Sequence, residues 1–189
     1  MNEFNLYSSN NPYYTDPLTN EKKDIIIPAS FKETNVFFAN EAGGLQNKSK
    51  LSGLDLLSNS RSAVYLDYDQ DGDLDIVMNN YHEAAVVYQN NSEKLGNNWL
   101  KIKLVGSPKN KVNLDAIGTR IIVTTRAGEK VWREINGSIG YMSVHPKTKH
   151  FGVGNSKRVD IKIIWPNGNV QHKKNVSVNQ KITIPYPVD

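Results

Sequence analysis

Five aspartates recur at alternate positions in the run Asp67-Tyr68-Asp69-Gln70-Asp71-Gly72-Asp73-Leu74-Asp75, with Gly72 between the third and the fourth. Drawn out as a strand, this run would align its carboxylates on one face, where like charges repel. Wound round Gly72, which accepts backbone conformations that other residues avoid, the same side chains converge on one centre. Hard oxygen donors in that number suit Ca²⁺, which takes about six to eight oxygens in a tolerant geometry. Mg²⁺ demands a stricter octahedron and keeps more of its water, so it is the weaker candidate. The spacing assigns the ligands to the side chains of Asp67, Asp69, Asp71 and Asp75, with the Asp73 backbone carbonyl. Two roles stay open for the ion: a staple between two strands, or a contact for a bound partner.

The opening of the run is shared with EF-hand loops, which need a glutamate at the twelfth position and a helix on each side. The twelfth position here is Met78, and both flanks read as strands. The EF-hand reading fails.

The elements that must position this loop are short and rich in β-branched and aromatic residues. Residues 63–66 enter the loop, 74–78 leave it, and 85–88 follow after a polar turn. Further on, 99–104 alternates as a strand with one wet face does. Residues 117–125, 130–135 and 159–165 read the same way. Pro166-Asn167-Gly168 forms a turn that returns through Val170 and Gln171, and 181–184 is a last strand. Earlier, 36–38 is a strand candidate and 45–60 is loop-like with one helical turn. Pro12, Pro17 and Pro28 break up the first thirty residues, which read as an extended arm. No segment sustains helical periodicity, so the class is all-β.

Composition narrows the function. The 189 residues contain no cysteine, which removes disulfide scaffolds and thiolate chemistry. No apolar run is long enough to span a bilayer. The start lacks the basic and apolar regions of a secretory signal. Residues 1–93 carry 6 Lys/Arg against 14 Asp/Glu, and residues 94–189 carry 17 against 5, so an acidic half meets a basic one near 91–98. The basic residues are scattered singly, and no nucleic-acid partner is expected.

Other chemistry is thinner. His82, His145, His150 and His172 are too widely spaced for a short metal motif. Ser143 beside His145 lacks the surroundings of a nucleophile elbow. The glycines at 137–140 and 152–154 read as tight β turns. Tyr13, Tyr14, Phe37, Phe38, Tyr141 and Trp165 are candidates for a sugar-stacking platform, with core packing as the commoner role of such residues.

Residues 62–77 (SAVYLDYDQDGDLDIV) resemble an FG-GAP/VCBS repeat, the blade repeat of β-propellers. The segments 98–106 (NWLKIKLVG), 115–120 (DAIGTR), 137–143 (GSIGYMS), 150–154 (HFGVG), 165–168 (WPNG) and 179–180 (NQ) resemble the ASPIC/UnbV domain of cartilage-acidic-protein-like chains, in that family's order and at similar spacing. Residues 52–55 and 60–62 resemble the lead-in to a last propeller repeat. Thr119-Arg120 stands where the family pattern often reads Gly-Ala-Arg, a mild departure.

The resemblance implies one FG-GAP/VCBS-type β-propeller blade followed by a small β-sandwich-like ASPIC/UnbV domain. It implies Ca²⁺ at Asp67, Asp69, Asp71, Asp73 and Asp75, and no catalytic residues. The expected division is an arm over 1–30, the blade over 31–93 and the ASPIC/UnbV domain over 94–189. A lone blade leaves both faces bare, which repeat architectures do not tolerate. The chain is therefore expected to be a fragment whose remaining blades, or another protein, complete that surface. The expected function is a calcium-stabilised, non-catalytic adhesion module of an extracellular or cell-surface protein, recognising a protein or a glycan. The alternative is a structural accessory subunit packed permanently in a cell-surface or outer-membrane assembly.

Overall fold

The computed structural model describes residues 13–15, 19–24 and 32–187. The arm expected over 1–30 lies largely outside the described residues. Among the described residues, those up to Ser60 together with Tyr81–Glu83 form one compact unit. Those from Arg61 to Asn80 and from Ala84 onward form a second, so the Asp-rich loop shares a unit with the C-terminal strands.

The first unit holds three small antiparallel pairs. Strand β1 (Tyr13–Thr15) pairs with β2 (Lys22–Asp24), β3 (Glu33–Thr34) with β6 (Leu57–Ser58), and β4 (Phe38–Glu41) with β5 (Gly44–Asn47). One helical turn, α1 (Ser49–Ser52), follows β5. The helical turn expected within 45–60 is therefore present, and β5 and β6 are added to the loop expected around it. The strand expected at 36–38 starts only at Phe38, because the Phe37 N–H donates to the Ser49 side chain (2.8 Å) instead of to a ladder.

In the second unit, β7 (Ser60–Leu66), β8 (Asp75–Asn80) and β9 (Val86–Tyr88) make a three-stranded sheet, with the Asp-rich loop joining the first two. The C-terminal part is a β-sandwich-like pair of sheets. One carries β13 (Lys149–Gly154), β10 (Asn98–Val105) and β16 (Gln180–Pro185) in that order. The other carries β12 (Lys130–Glu134), β11 (Arg120–Thr125), β14 (Arg158–Ile164) and β15 (Val170–Ser177). Among the described residues the pairings in the two sheets are antiparallel except β10 with β16, which run parallel.

Strand alternation makes this core. Leu100, Ile102 and Leu104 of β10 point inward between Lys101 and Lys103, and Ile121 and Val123 do the same on β11. Val159, Ile161 and Ile163 of β14 meet Phe151 and Val153 of β13 in one buried cluster. Trp165 lies at 1 % exposure in that cluster, edge-to-face with Tyr186 at 5.1 Å. Gly168, at φ +88°, closes the expected turn by donating its N–H to the Trp165 carbonyl (2.9 Å).

Two readings are corrected. The strand expected from Ile117 begins at Arg120, because Thr119 N–H closes a turn onto the Ala116 carbonyl (3.0 Å). Residues 152–154 are no tight turn but the end of β13, where ladder bonds to β10 override the weak strand preference of glycine.

Ile102→Ala removes a fully buried side chain at the centre of β10. It should lower unfolding free energy by about 2–5 kcal/mol in urea titrations.

Candidate metal centre

The loop is tied down from inside before any ion is considered. Asp75 is fully buried, and its two oxygens accept the N–H groups of Tyr68 (3.0 Å) and Asn90 (2.9 Å). Asp73 Oδ2 accepts Ser92 N–H (2.7 Å), Ser92 Oγ–H (3.1 Å) and Glu93 N–H (3.3 Å). Asp69 and Asp71 each accept the N–H two residues on, at 3.3 and 3.1 Å, the local bond by which aspartate builds turns. Asp69 also accepts from the Gln89 amide (2.7 Å).

The strands below hold the loop from outside. Gly72 has φ +104°, and a β-carbon there would overlap the Trp99 indole. The position thus needs glycine twice, for its backbone angle and for the close approach. His150 Nε2 hydrogen-bonds the Gly72 carbonyl (2.8 Å), and its ring lies roughly parallel to that of Trp99. Asp67 Oδ2 accepts Gly72 N–H (3.0 Å) and pairs with Lys101 Nζ, which also sits 4.7 Å over the Trp99 ring. Trp99 and Lys101 come from the outward face of β10, and His150 lies opposite Lys101 on β13.

This network leaves three oxygens without a partner, although all are buried: Asp67 Oδ1, Asp73 Oδ1 and Glu93 Oε2. The Asp67 side chain is only 4 % exposed. Buried carboxylate oxygens are expensive to leave unpaired. Asp67, Asp69 and Asp71 offer oxygens within 4.8 Å of one another, and so do Asp71, Asp73 and Glu93. Asp71 joins the two groups. Its hydrogen bond from Asp73 N–H lowers its pKa, but burial and the charges of Asp73, Asp69 and Asp75 outweigh that and hold it above the usual carboxylate range. The donor set is all oxygen, and the unpaired atoms fit a hard cation such as Ca²⁺.

The structure therefore places four of the five aspartates named from sequence in two groups that share Asp71. The Asp73 side chain lies in a group, where spacing had assigned its carbonyl. Asp75 lies outside both groups and acts as a fastener for the loop. Glu93, absent from the sequence reading, joins from the 3-10 turn Ser92–Leu95. No spacing rule could reach it, since it meets Asp73 only after β8 and β9 have folded back.

The other candidates disperse. Ser143 Oγ donates to the Ile139 carbonyl (2.8 Å), while His145 accepts the Tyr65 N–H (3.3 Å) and stacks on that ring. Trp165 is core and cannot belong to a stacking platform, because β14 and Tyr186 enclose it. Phe37, Phe38 and Tyr141 are exposed, and the side chains of Tyr13 and Tyr14 lie outside the described residues.

Residues 109–189 match the family model for ASPIC and UnbV. The chain is also similar to cartilage acidic protein 1 of mouse, 28% identical over 131 residues, which cover 67% of this chain and 20% of that protein. The human protein of the same name gives 28% over 131 residues, covering 67% of this chain and 19% of its own length. The Xenopus tropicalis protein gives 26% over 125 residues, with 64% and 19% covered. The chain spans about a fifth of the length of these relatives.

Gly72→Ala should lower stability by about 2–4 kcal/mol, through left-handed strain plus overlap with the indole, read as a fall in melting temperature. Burial holds the His150 pKa below the usual histidine value of 6.5; the Gly72 bond opposes this and the Lys101 charge adds to it. The unfolded chain then binds the proton more readily than the folded one. Stability is full above pH about 6.5 and declines as the pH falls through the lowered value. His150→Gln, which keeps an N–H donor for Gly72, should flatten that decline in melting curves between pH 7 and 5.

Proposed function

We propose that the chain is a calcium-stabilised, non-catalytic recognition module of an exported or cell-surface protein, binding a protein or a glycan. The observation that carries this reading is the set of unpaired, buried carboxylate oxygens on Asp67, Asp73 and Glu93. Calcium would be held by Asp67, Asp69 and Asp71 or by Asp71, Asp73 and Glu93, two groups that share Asp71, with Asp75 fastening the loop, and would supply positive charge that those oxygens lack. Lys101 neutralises Asp67 from one side only, through Oδ2.

In this reading the sheet β7–β8–β9 is an FG-GAP/VCBS-type blade. Its ion is a staple holding the loop against the sandwich strands of the same unit. The likeness to cartilage acidic protein 1 supports a place in an exported protein, and no described helix is long and apolar enough to cross a membrane. The engagement of Ser143 and His145 with other groups supports a non-catalytic role.

A second reading has its own observation. Val36, Phe38, Leu45, Leu51 and Leu57 of the first unit are all exposed. Remaining propeller blades or a permanent structural partner would cover such side chains, and this favours the accessory subunit. Size-exclusion chromatography separates the two readings: a free monomer supports the recognition module, an obligate complex the accessory subunit.

Melting curves test the metal. The EDTA-treated protein should gain stability with Ca²⁺, about 2.7 kcal/mol at a hundredfold excess over Kd, and less with Mg²⁺ at equal concentration. Asp69→Ala should abolish most of that gain. A melting temperature indifferent to both EDTA and calcium would overturn the reading.

A further inference from the structure

The outer face of the sheet β13–β10–β16 carries a charge pattern that the calcium loop does not use. At one rung of the ladder Lys101 lies opposite His150 on one side and Lys181 on the other. Like charges placed directly across strands repel, and only Lys101 meets a carboxylate, that of Asp67. The rung lines a recess of about 730 Å³, to which Arg133 and Lys149 also contribute.

Lys149 is the most telling of these. It is 4 % exposed, and its Nζ donates to the Pro146 carbonyl at 3.3 Å. Among the described residues no ion pair joins Lys149, Arg133 or Lys181 to a carboxylate. Burial and the nearby Arg133 charge hold Lys149 below the usual lysine range, and burial and Lys181 do the same to Lys101. A buried ammonium without a counter-ion is costly. The lining thus sets four Lys/Arg side chains against the single carboxylate of Asp67.

Aromatic rings stand beside these cations. Tyr65 and Tyr68 line the same recess, and Tyr68 is 52 % exposed. Arg133 and Lys149 also border a second recess containing Trp132, 58 % exposed. Exposed flat rings pack against the apolar face of a ring-built ligand, while guanidinium and ammonium groups take its oxyanions. The cations come singly from four strands around a recess of small-ligand size, unlike the extended basic groove that tracks a nucleic-acid backbone.

We propose that this recess binds an anionic saccharide, a sugar chain bearing sulfate or carboxylate groups, with Arg133, Lys149 and Lys181 holding its charges and Tyr68 packing on its ring. The assignment deepens the recognition role above and rests on it. Asp67, Tyr68, Gln70 and Leu74 of the loop line the recess, so the order of the loop shapes the site.

Titration calorimetry at ~0.15 M salt tests the assignment on the full chain with two probes, a heparin-derived tetrasaccharide and its desulfated form. Saturable binding of the sulfated probe alone assigns sulfate, and equal binding of both assigns carboxylate. The exposed residues Arg133 and Lys181 are the ones to change, because Lys149 is buried. Arg133→Ala and Lys181→Ala should each weaken binding about tenfold, as loss of a charge-assisted hydrogen bond does, and Lys181→Arg should restore it. Binding of neither probe, unchanged binding by the double variant, or equal binding of a thymidine oligonucleotide would overturn the proposal. Calcium melts on the same samples separate the two readings. Calcium stabilisation without saccharide binding overturns the saccharide site alone, and saccharide binding by a protein indifferent to calcium overturns the metal reading alone.

Discussion

A dense set of carboxylates wound round one glycine must find positive charge or hydrogen-bond donors, and that constraint organises everything around residues 67–75. Most of the demand is met by the chain itself. Backbone N–H groups of Tyr68, Gly72, Asn90 and Ser92 point at Asp75, Asp67 and Asp73. Lys101 supplies one cation. What the chain does not meet is concentrated in three buried oxygens. That unmet charge is what a cation bound at the loop would satisfy.

The loop depends on the sandwich as much as on itself. The same alternation that buries Leu100 and Ile102 turns Trp99 and Lys101 outward to receive Gly72 and Asp67. A change in the register of β10 by one residue would send the loop's supports into the core and Leu100 into water. Packing of the second unit and geometry of the acidic loop are therefore one problem, joined through a single strand.

Much of this was legible in the residues, and the failures have physical causes. The alternation of 99–104 and 159–165 marks strands with one dry face, and that signal is local. The aspartate spacing and Gly72 are local too, which is why the loop stands out. Glu93 and the docking of Trp99 on Gly72 are set by tertiary contact and leave no periodic trace. The parallel pairing of β10 with β16 joins segments about eighty residues apart, beyond any turn signal. Asp75 stood out as a ligand by spacing, and the backbone donors that hold both of its oxygens are in place only once β9 returns beside the loop. Trp165 looked available for stacking because aromatic identity alone does not tell core from surface.

The most direct test is a crystal grown with CaCl₂ and measured at a wavelength where calcium scatters anomalously. The account predicts an anomalous peak among the carboxylates of Asp67, Asp69 and Asp71 or of Asp71, Asp73 and Glu93, with Asp75 still bound to Tyr68 and Asn90. A loop holding only water at that position, with Lys101 as the sole cation facing Asp67, would contradict it.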